Sequence, residues 1–182
     1  MNAPLLICFS GQPGVGKTAV ARALAQRTGY VFLRIDSIEC ALRNVEGSVF
    51  AGPEGYIAGA AVASDHLMLG RAVVADAVNE DHRGQNVWRH LAAETGAQLF
   101  PVNVTCSDAQ EHRRRVEQRR PDLPGHQLPD WQAVQARIIQ PWAVPALQID
   151  TAHRTTEAMA ARIETALHQG LRKGGATFFP SN

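Results

Sequence analysis

The chain has 182 residues, 45% of them hydrophobic, and a net charge of +1. That is enough apolar side chain for one sizeable core, short for two, and incompatible with a disordered chain. The near-neutral balance offers no global field for nucleic acid or a membrane surface. Cys8, Cys40 and Cys106 lack metal spacing and read as small buried or half-buried residues, not a disulfide framework. The opening Met1-Asn2-Ala3-Pro4 has no basic segment, and no apolar run reaches the length of a membrane span. The expectation is a cytoplasmic single domain over residues 1–172 with a flexible tail, 173–182.

In chain order, Leu5 to Phe9 reads as a buried strand, followed by Gly11-Gln12-Pro13-Gly14-Val15-Gly16-Lys17-Thr18. This fits G-x-x-x-x-G-K-[ST] in its confirming context of strand, glycine loop and helix. A dinucleotide fingerprint fits worse, because its third glycine would fall at Ala19. Glycines 11, 14 and 16 let successive N–H groups face one point, at which the new helix aims its positive end. Lys17 adds a cation for the outer phosphates, and the Thr18 hydroxyl is placed to bind Mg²⁺. The expected nucleotide-binding set is Gly11, Pro13, Gly14, Val15, Gly16, Lys17, Thr18 and Ala19.

The first helix should run to Thr28, with Gly29 as its C-cap. Tyr30 to Ile35 reads as strand two, and Asp36-Ser37 as the cap of a helix over 37–44 that holds Ile38, Leu42 and Arg43. Residues 44–52 carry loop signals. Pro53-Glu54 opens a helix of small residues that Gly70 ends, and Ala72 to Ala75 is strand three, closing at Asp76. A polar loop over 79–84 precedes a helix with Val87, Trp88 and Leu91. Gln98 to Val104 is strand four, whose Pro101 points to an edge position or a distortion. Ser107-Asp108-Ala109-Gln110 reads as a capping box for a basic helix. A Pro/Gly-rich loop over 121–129, a helix from Trp131 to Gln140, strand five (146–149, ending at Asp150) and a last helix from Thr155 to Gly170 complete the chain.

Strands alternating with helices imply a parallel sheet covered on both faces, with ligands bound beyond the strand ends. The loop 11–18, Asp36, Asp76, Cys106 to Asp108 and Asp150 should meet there. Asp76 can hold Mg²⁺ directly or through water, and Asp36 can act as general base toward an acceptor hydroxyl. The run from Glu111 to Arg120 holds five arginines and two glutamates, much of it a solvated face. Arg115 and Arg119, four apart on a helix, would share a face and close from a lid over about 108–142. No N-K-x-D guanine reader exists, so the match to D-x-x-G at Asp81–Gly84 carries little weight. The seven histidines form no metal-spaced cluster and are read as surface or loop residues.

The phosphate loop, Asp36 with Arg43 seven residues on, Val73 to Asn79, and Arg115-Val116-Glu117-Gln118-Arg119 resemble the small P-loop kinases of the polynucleotide-kinase, zeta-toxin and chloramphenicol-phosphotransferase type. Such chains are often described only as AAA-family ATP-binding proteins. The resemblance runs over about residues 4–170, and the phosphate loop is its most specific part. It implies a five-stranded parallel sheet with the loop-bearing strand central, a helical lid, ATP and Mg²⁺. It implies Asp36 as base, with Lys17, Arg115 and Arg119 beside it in catalysis, and Thr18 and Asp76 at the metal. Arg43, Asp36 and Asn79 fall on the acceptor side, and Asp150-Thr151 near the adenine. The expected activity is ATP-dependent phosphorylation of a small-molecule hydroxyl. A 5′-hydroxyl polynucleotide kinase, and a regulatory ATP-binding protein with no acceptor, are the alternatives. Strand three has no second acidic residue beside Asp76, and the segment from Trp131 to Trp142, with Arg137 inside it, lies outside the shared pattern.

Overall fold

Leu5 to Ser10 is buried throughout, a run that only a strand covered on both faces accommodates. The computed structural model describes residues 3–45 and 53–172 and places this strand, β1, in the middle of a five-stranded parallel sheet. The order of elements is β1 (Leu5–Ser10), α1 (Lys17–Thr28), β2 (Val31–Arg34), α2 (Ile35–Arg43), α3 (Glu54–Met68), β3 (Val73–Asp76) and α4 (His82–Thr95). β4 (Gln98–Thr105), α5 (Ala109–Gln118), α6 (Trp131–Ala136), β5 (Leu147–Asp150) and α7 (Thr156–Arg172) follow. Across the sheet the strands run β2-β3-β1-β4-β5. The chain builds one side, then crosses β1 to build the other, so the loop after β1 sits where the order reverses, the place where open α/β sheets bind ligands.

Two cores flank the sheet. On one face Val20, Leu24, Ile163 and Leu167 of α1 and α7 cover Ile7, Phe9 and Val102. On the other, Leu67 of α3 and Trp88 and Leu91 of α4 cover Leu6, Cys8 and Val73. Fully burying each of these large side chains contributes about 1.5–3 kcal/mol, so the two layers hold the strand ends rigidly. The small residues of α3 let α2 come close. A Cβ added at Gly59 would lie 2.4 Å from Ile35 Cδ1. Backbone proximity there seats α2, and with it Asp36.

Several boundaries differ from expectation for local reasons. α2 begins at Ile35, with Arg34 as N-cap and no side-chain cap, so Asp36 lies inside its first turn and does not cap it. Asp81 accepts from the N–H groups of Arg83 and Gly84 and starts α4 inside the expected polar loop. Asp108 caps α5 through the N–H groups of Gln110 and Glu111, while the Ser107 hydroxyl donates to Asp150. α6 stops at Ala136, and α7 continues past Gly170. β4 is an interior strand. Its pairing with β5 starts only at Val102, so Pro101 sits where that flank is still open and needs no edge strand. Residues 46–52 of the expected loop, and the expected tail 173–182, lie outside the described residues.

Candidate active site

The floor of the site is the loop between β1 and α1. Gly16, left-handed at φ 94°, is the N-cap of α1, and no side-chain oxygen caps it. The first amides of α1 thus face the cavity beside it, a ready anion seat. Gly14 is fixed from above, because a Cβ on it would come within 2.4 Å of Val116 Cγ2 on α5. Gln12 Nε2 donates to the carbonyls of Val134 (3.2 Å) and Arg137 (2.8 Å), tying the loop to α6. Lys17 Nζ donates to the Gln12 carbonyl at 3.0 Å. Burial brings the pKa of Lys17 from 10.5 down to about 8, against the pull of Asp76 and Asp36, with Arg119 and Arg137 pushing the same way as burial.

Asp76 ends β3 and stands in register with Phe9 on one side and Arg34 on the other. Its carboxyl is held above the usual range, first by burial, with Lys17 and a hydrogen bond from the Thr18 hydroxyl opposing. Its Oδ2 is buried with no hydrogen-bond partner. A buried, unpartnered carboxylate oxygen beside a threonine hydroxyl fits a hard divalent cation that keeps most of its waters.

One wall comes from β2 and α2. Arg34, at the end of an otherwise apolar strand, is buried and forks onto Asp122 at 2.6 and 3.0 Å, with Asp36 3.6 Å away. Two hydrogen bonds in that planar geometry are the strong form of the pair. Asp36, Glu39 and Arg43 follow at i, i+3 and i+7 along α2 and all line the cavity, with Arg43 paired to Glu39 at 3.2 Å.

The roof comes from α5 and the segment after it. α5 ends at Gln118, and Arg119 is already extended, so Arg115 and Arg119 do not share a helix face as expected, although both line the cavity. Arg115 is held by Glu111 and by the hydroxyl (2.9 Å) and carbonyl (3.0 Å) of Thr151, above Gly16. Arg137 adds another guanidinium and pairs with Glu80 at 3.3 Å. His112 is not a surface residue. It is buried, bonds the Pro13 carbonyl through Nε2 at 2.9 Å and meets Trp131 edge-on. Arg113 and Arg114 are exposed on the outer side of α5 and do not line the cavity.

The cavity between floor, wall and roof is open to solvent on one side and measures about 600 Å³. It brings together Pro13, Gly14, Gly16, Lys17, Thr18, Ala19, Asp36, Arg43, Asp76, Arg115 and Arg119. Gly11 and Val15 shape the loop from behind; the Gly11 N–H donates to Val78, and the Val15 carbonyl accepts from Thr151. Asp150 and Thr151 do not line the cavity. Asp150 accepts from Ser107, and Thr151 is buried against the loop. Asn79 is also away from it: its amide donates to Phe9, accepts from Trp88 Nε1, and is fully buried. Arg34, Gln12, His112 and Asp122 were not singled out from the sequence. Only Arg34 leaves a trace there, as a charge closing an apolar strand.

A family model described as an AAA domain matches residues 6–138. A provisionally named adenylate kinase of Pyrococcus furiosus is 25% identical over 180 residues, which cover 93% of this chain and 87% of that protein. Among solved structures, a provisionally named kinase of Chloroflexus aurantiacus superposes with a TM-score of 0.74 at 18% identity, covering 90% of this chain and 98% of that one. The APS kinase of Mycobacterium tuberculosis, solved with AMPPNP and APS, gives 0.68 at 18% identity, over 92% and 99%. At these identities the structural likeness is one of fold. The chain belongs to the AAA domain family, and its fold is that of the small P-loop kinases.

Proposed function

We propose that this chain is a kinase that transfers the γ-phosphoryl group of ATP to a hydroxyl of a small molecule. The observation that carries this is Asp36. It lies in the same cavity as the phosphate loop, close enough to Lys17 to oppose in part the burial that lowers its pKa, yet is neither buried nor spent as a helix cap. Lys17 and the loop amides hold the β- and γ-phosphates, and Arg119 and Arg137, the guanidiniums that act on Lys17, offset their charge. Arg115 clamps the Thr151 turn and lies over Gly16. Thr18, and Asp76 directly or through water, would hold Mg²⁺, which would supply neutralisation of the negative charge that develops in transfer.

In the transfer, the acceptor oxygen bonds to the γ-phosphorus as the bond to the β–γ bridging oxygen breaks. That electron pair leaves with ADP, and the acceptor's proton moves to the Asp36 carboxylate. The segment over about 108–142, anchored to the loop through His112 and Gln12, serves as the lid that excludes water. A 5′-hydroxyl oligonucleotide is the weaker acceptor, since Arg113 and Arg114 face away from the cavity and Arg113 is paired with Glu117. In a regulatory ATP-binding protein Asp36 would serve only its ion pair with Arg34, 3.6 Å away, and its replacement would leave nucleotide turnover unchanged.

Asp36→Asn tests this. Transfer of label from γ-labelled ATP should fall by about 10²–10⁴-fold while nucleotide affinity is retained. Full transfer by this variant to the acceptor that the wild type uses would remove Asp36 from the mechanism.

A further inference from the structure

We infer that Arg34 is a positioning residue shared between two carboxylates. Asp122, on the lid stretch between α5 and α6, keeps its guanidinium occupied; when that stretch lifts, Arg34 captures Asp36 and holds it away from the acceptor. The role of Asp36 as base rests on the kinase reading above; the capture itself does not.

Arg34 closes an apolar strand, and its side chain is only 7% exposed. A guanidinium this buried is costly without a carboxylate, so it takes the nearest one. Two are within reach. Asp122 accepts from Nη1 at 2.6 Å and from Nη2 at 3.0 Å, a fork across the end of the guanidinium. Asp36 Oδ2 stands 3.6 Å from Nη2, just beyond hydrogen-bond distance. Nε is buried and has no hydrogen-bond partner among the described residues. The second edge of the guanidinium, Nε with Nη2, thus lacks a full partner, and Asp36 is the carboxylate beside it. A shift of about 1 Å would bring Asp36 onto that edge. Such a shift accounts for a buried donor that the closed structure leaves unpaired.

The two carboxylates are held differently. Asp36 lies in the first turn of α2, two residues past Arg34, so strand and helix fix both backbones and side-chain rotation alone closes the gap. Asp122 lies in residues 119–130, which form neither helix nor strand, and its side chain is half-exposed. Its other partner, Arg22 on α1, is exposed and 3.7 Å away, a weak surface pair. The lid stretch is therefore the part that can leave. With Asp122 in place, the charge of Arg34 is matched, and Asp36 answers to Lys17 and Arg119, which line the same cavity. With Asp122 gone, Asp36 is the nearest carboxylate that restores the match. An open lid thereby withdraws the base, and the γ-phosphoryl group is not passed to water before an acceptor is enclosed.

Asp122→Asn keeps the shape of the lid residue and removes its charge. The proton–nitrogen correlation signal of Arg34 Nε, identified by its loss in Arg34→Lys, should move downfield in Asp122→Asn as Nε gains a bond. It should return to its wild-type place in Asp122→Asn with Asp36→Ala. Phosphate release from Mg²⁺-ATP, with water as the acceptor, should fall about 10- to 100-fold in Asp122→Asn and recover when Arg34→Gln is added. A fork that merely fastened the lid could not be mended by removing its other half. The inference is wrong if the Nε signal stays in place in Asp122→Asn, if it moves equally with Ala at position 36, or if Arg34→Gln deepens the loss. The spectrum decides between these outcomes even if Arg34→Gln does not fold. The expected Nε signals, together with phosphate release that Asp36→Asn leaves unchanged, would support the capture and overturn Asp36 as the base.

Discussion

The two halves of the cavity are built from different materials. On the donor side, the loop between β1 and α1 is mostly buried backbone, braced by Thr151 from behind, by its own Gln12 donating to the Val134 and Arg137 carbonyls, and by His112 from α5. Its one charged side chain, Lys17, is buried, and its amides need no side chain at all. On the acceptor side, α2 and the residues after α5 present charged side chains, Arg43 and Asp122 among them, each about half-exposed and ion-paired. Backbone geometry recognises a phosphate whatever molecule carries it, whereas long side chains recognise a particular partner and are easily exchanged. The donor half therefore looks like that of any phosphate-loop enzyme, and the individuality of this protein lies opposite it.

The largest effect expected on this contrast is Lys17→Ala. Nucleotide affinity measured with Mg²⁺ and AMPPNP should fall about 10²–10³-fold, while the melting temperature holds or rises because a desolvated ammonium has been removed. An unchanged dissociation constant would mean that the loop amides alone carry the phosphates. A smaller effect comes from pH. Lys17 titrates near pH 8 in the folded protein instead of 10.5. If its charged form holds phosphate, as proposed, nucleotide affinity should fall as pH rises through about 8, roughly tenfold by pH 9. Stability of the nucleotide-free protein should move the other way. Between pH 8 and 10.5 the unfolded chain binds more protons at this residue, so rising pH favours the fold there. A flat affinity profile from pH 7 to 9.5 would contradict the buried environment of Lys17.

The smallest change probes the bracing alone. Trp142 Nε1 donates to Ser10 Oγ at 2.9 Å, and Ser10 in turn bonds Asn103 at 3.2 Å. Trp142→Phe should cost about 1–2 kcal/mol in urea unfolding, from one buried hydrogen bond and a small void. It should leave acceptor selectivity untouched, because Trp142 lies outside the cavity wall. A changed selectivity would show that bracing and acceptor halves are coupled.

The donor half was legible because its signals are local. A glycine loop between an apolar strand and a helix is specified by consecutive residues, so Gly11 to Thr18 and the ends of α1 could be read directly. Asp76 and Asp36 could be read because strands ending in a carboxylate are conspicuous, although α2 starting at Ile35 moved Asp36 from the cap into the first turn. Helical spacing misplaced Arg119, because α5 ends one residue before it, and it gave no hint that His112 turns inward onto Pro13. Asn79 stood near the right strand end, but its side chain serves the core through Phe9 and Trp88.

Sequence alone thus determined the glycine loop between β1 and α1, the parallel α/β class, and the carboxylates Asp76 at the end of β3 and Asp36 just past the end of β2. Each of these depends on residues adjacent in the chain or on the period of a single element. Only the tertiary structure decided which charges share the cavity. The Arg34–Asp122 fork joins residues 88 positions apart, Gln12 reaches Arg137 across 125, and Thr151 reaches Val15 across 136. No local period encodes such pairs; they exist because the sheet order brings the ends of β1, β2, β3 and β5 and the start of α5 to one edge.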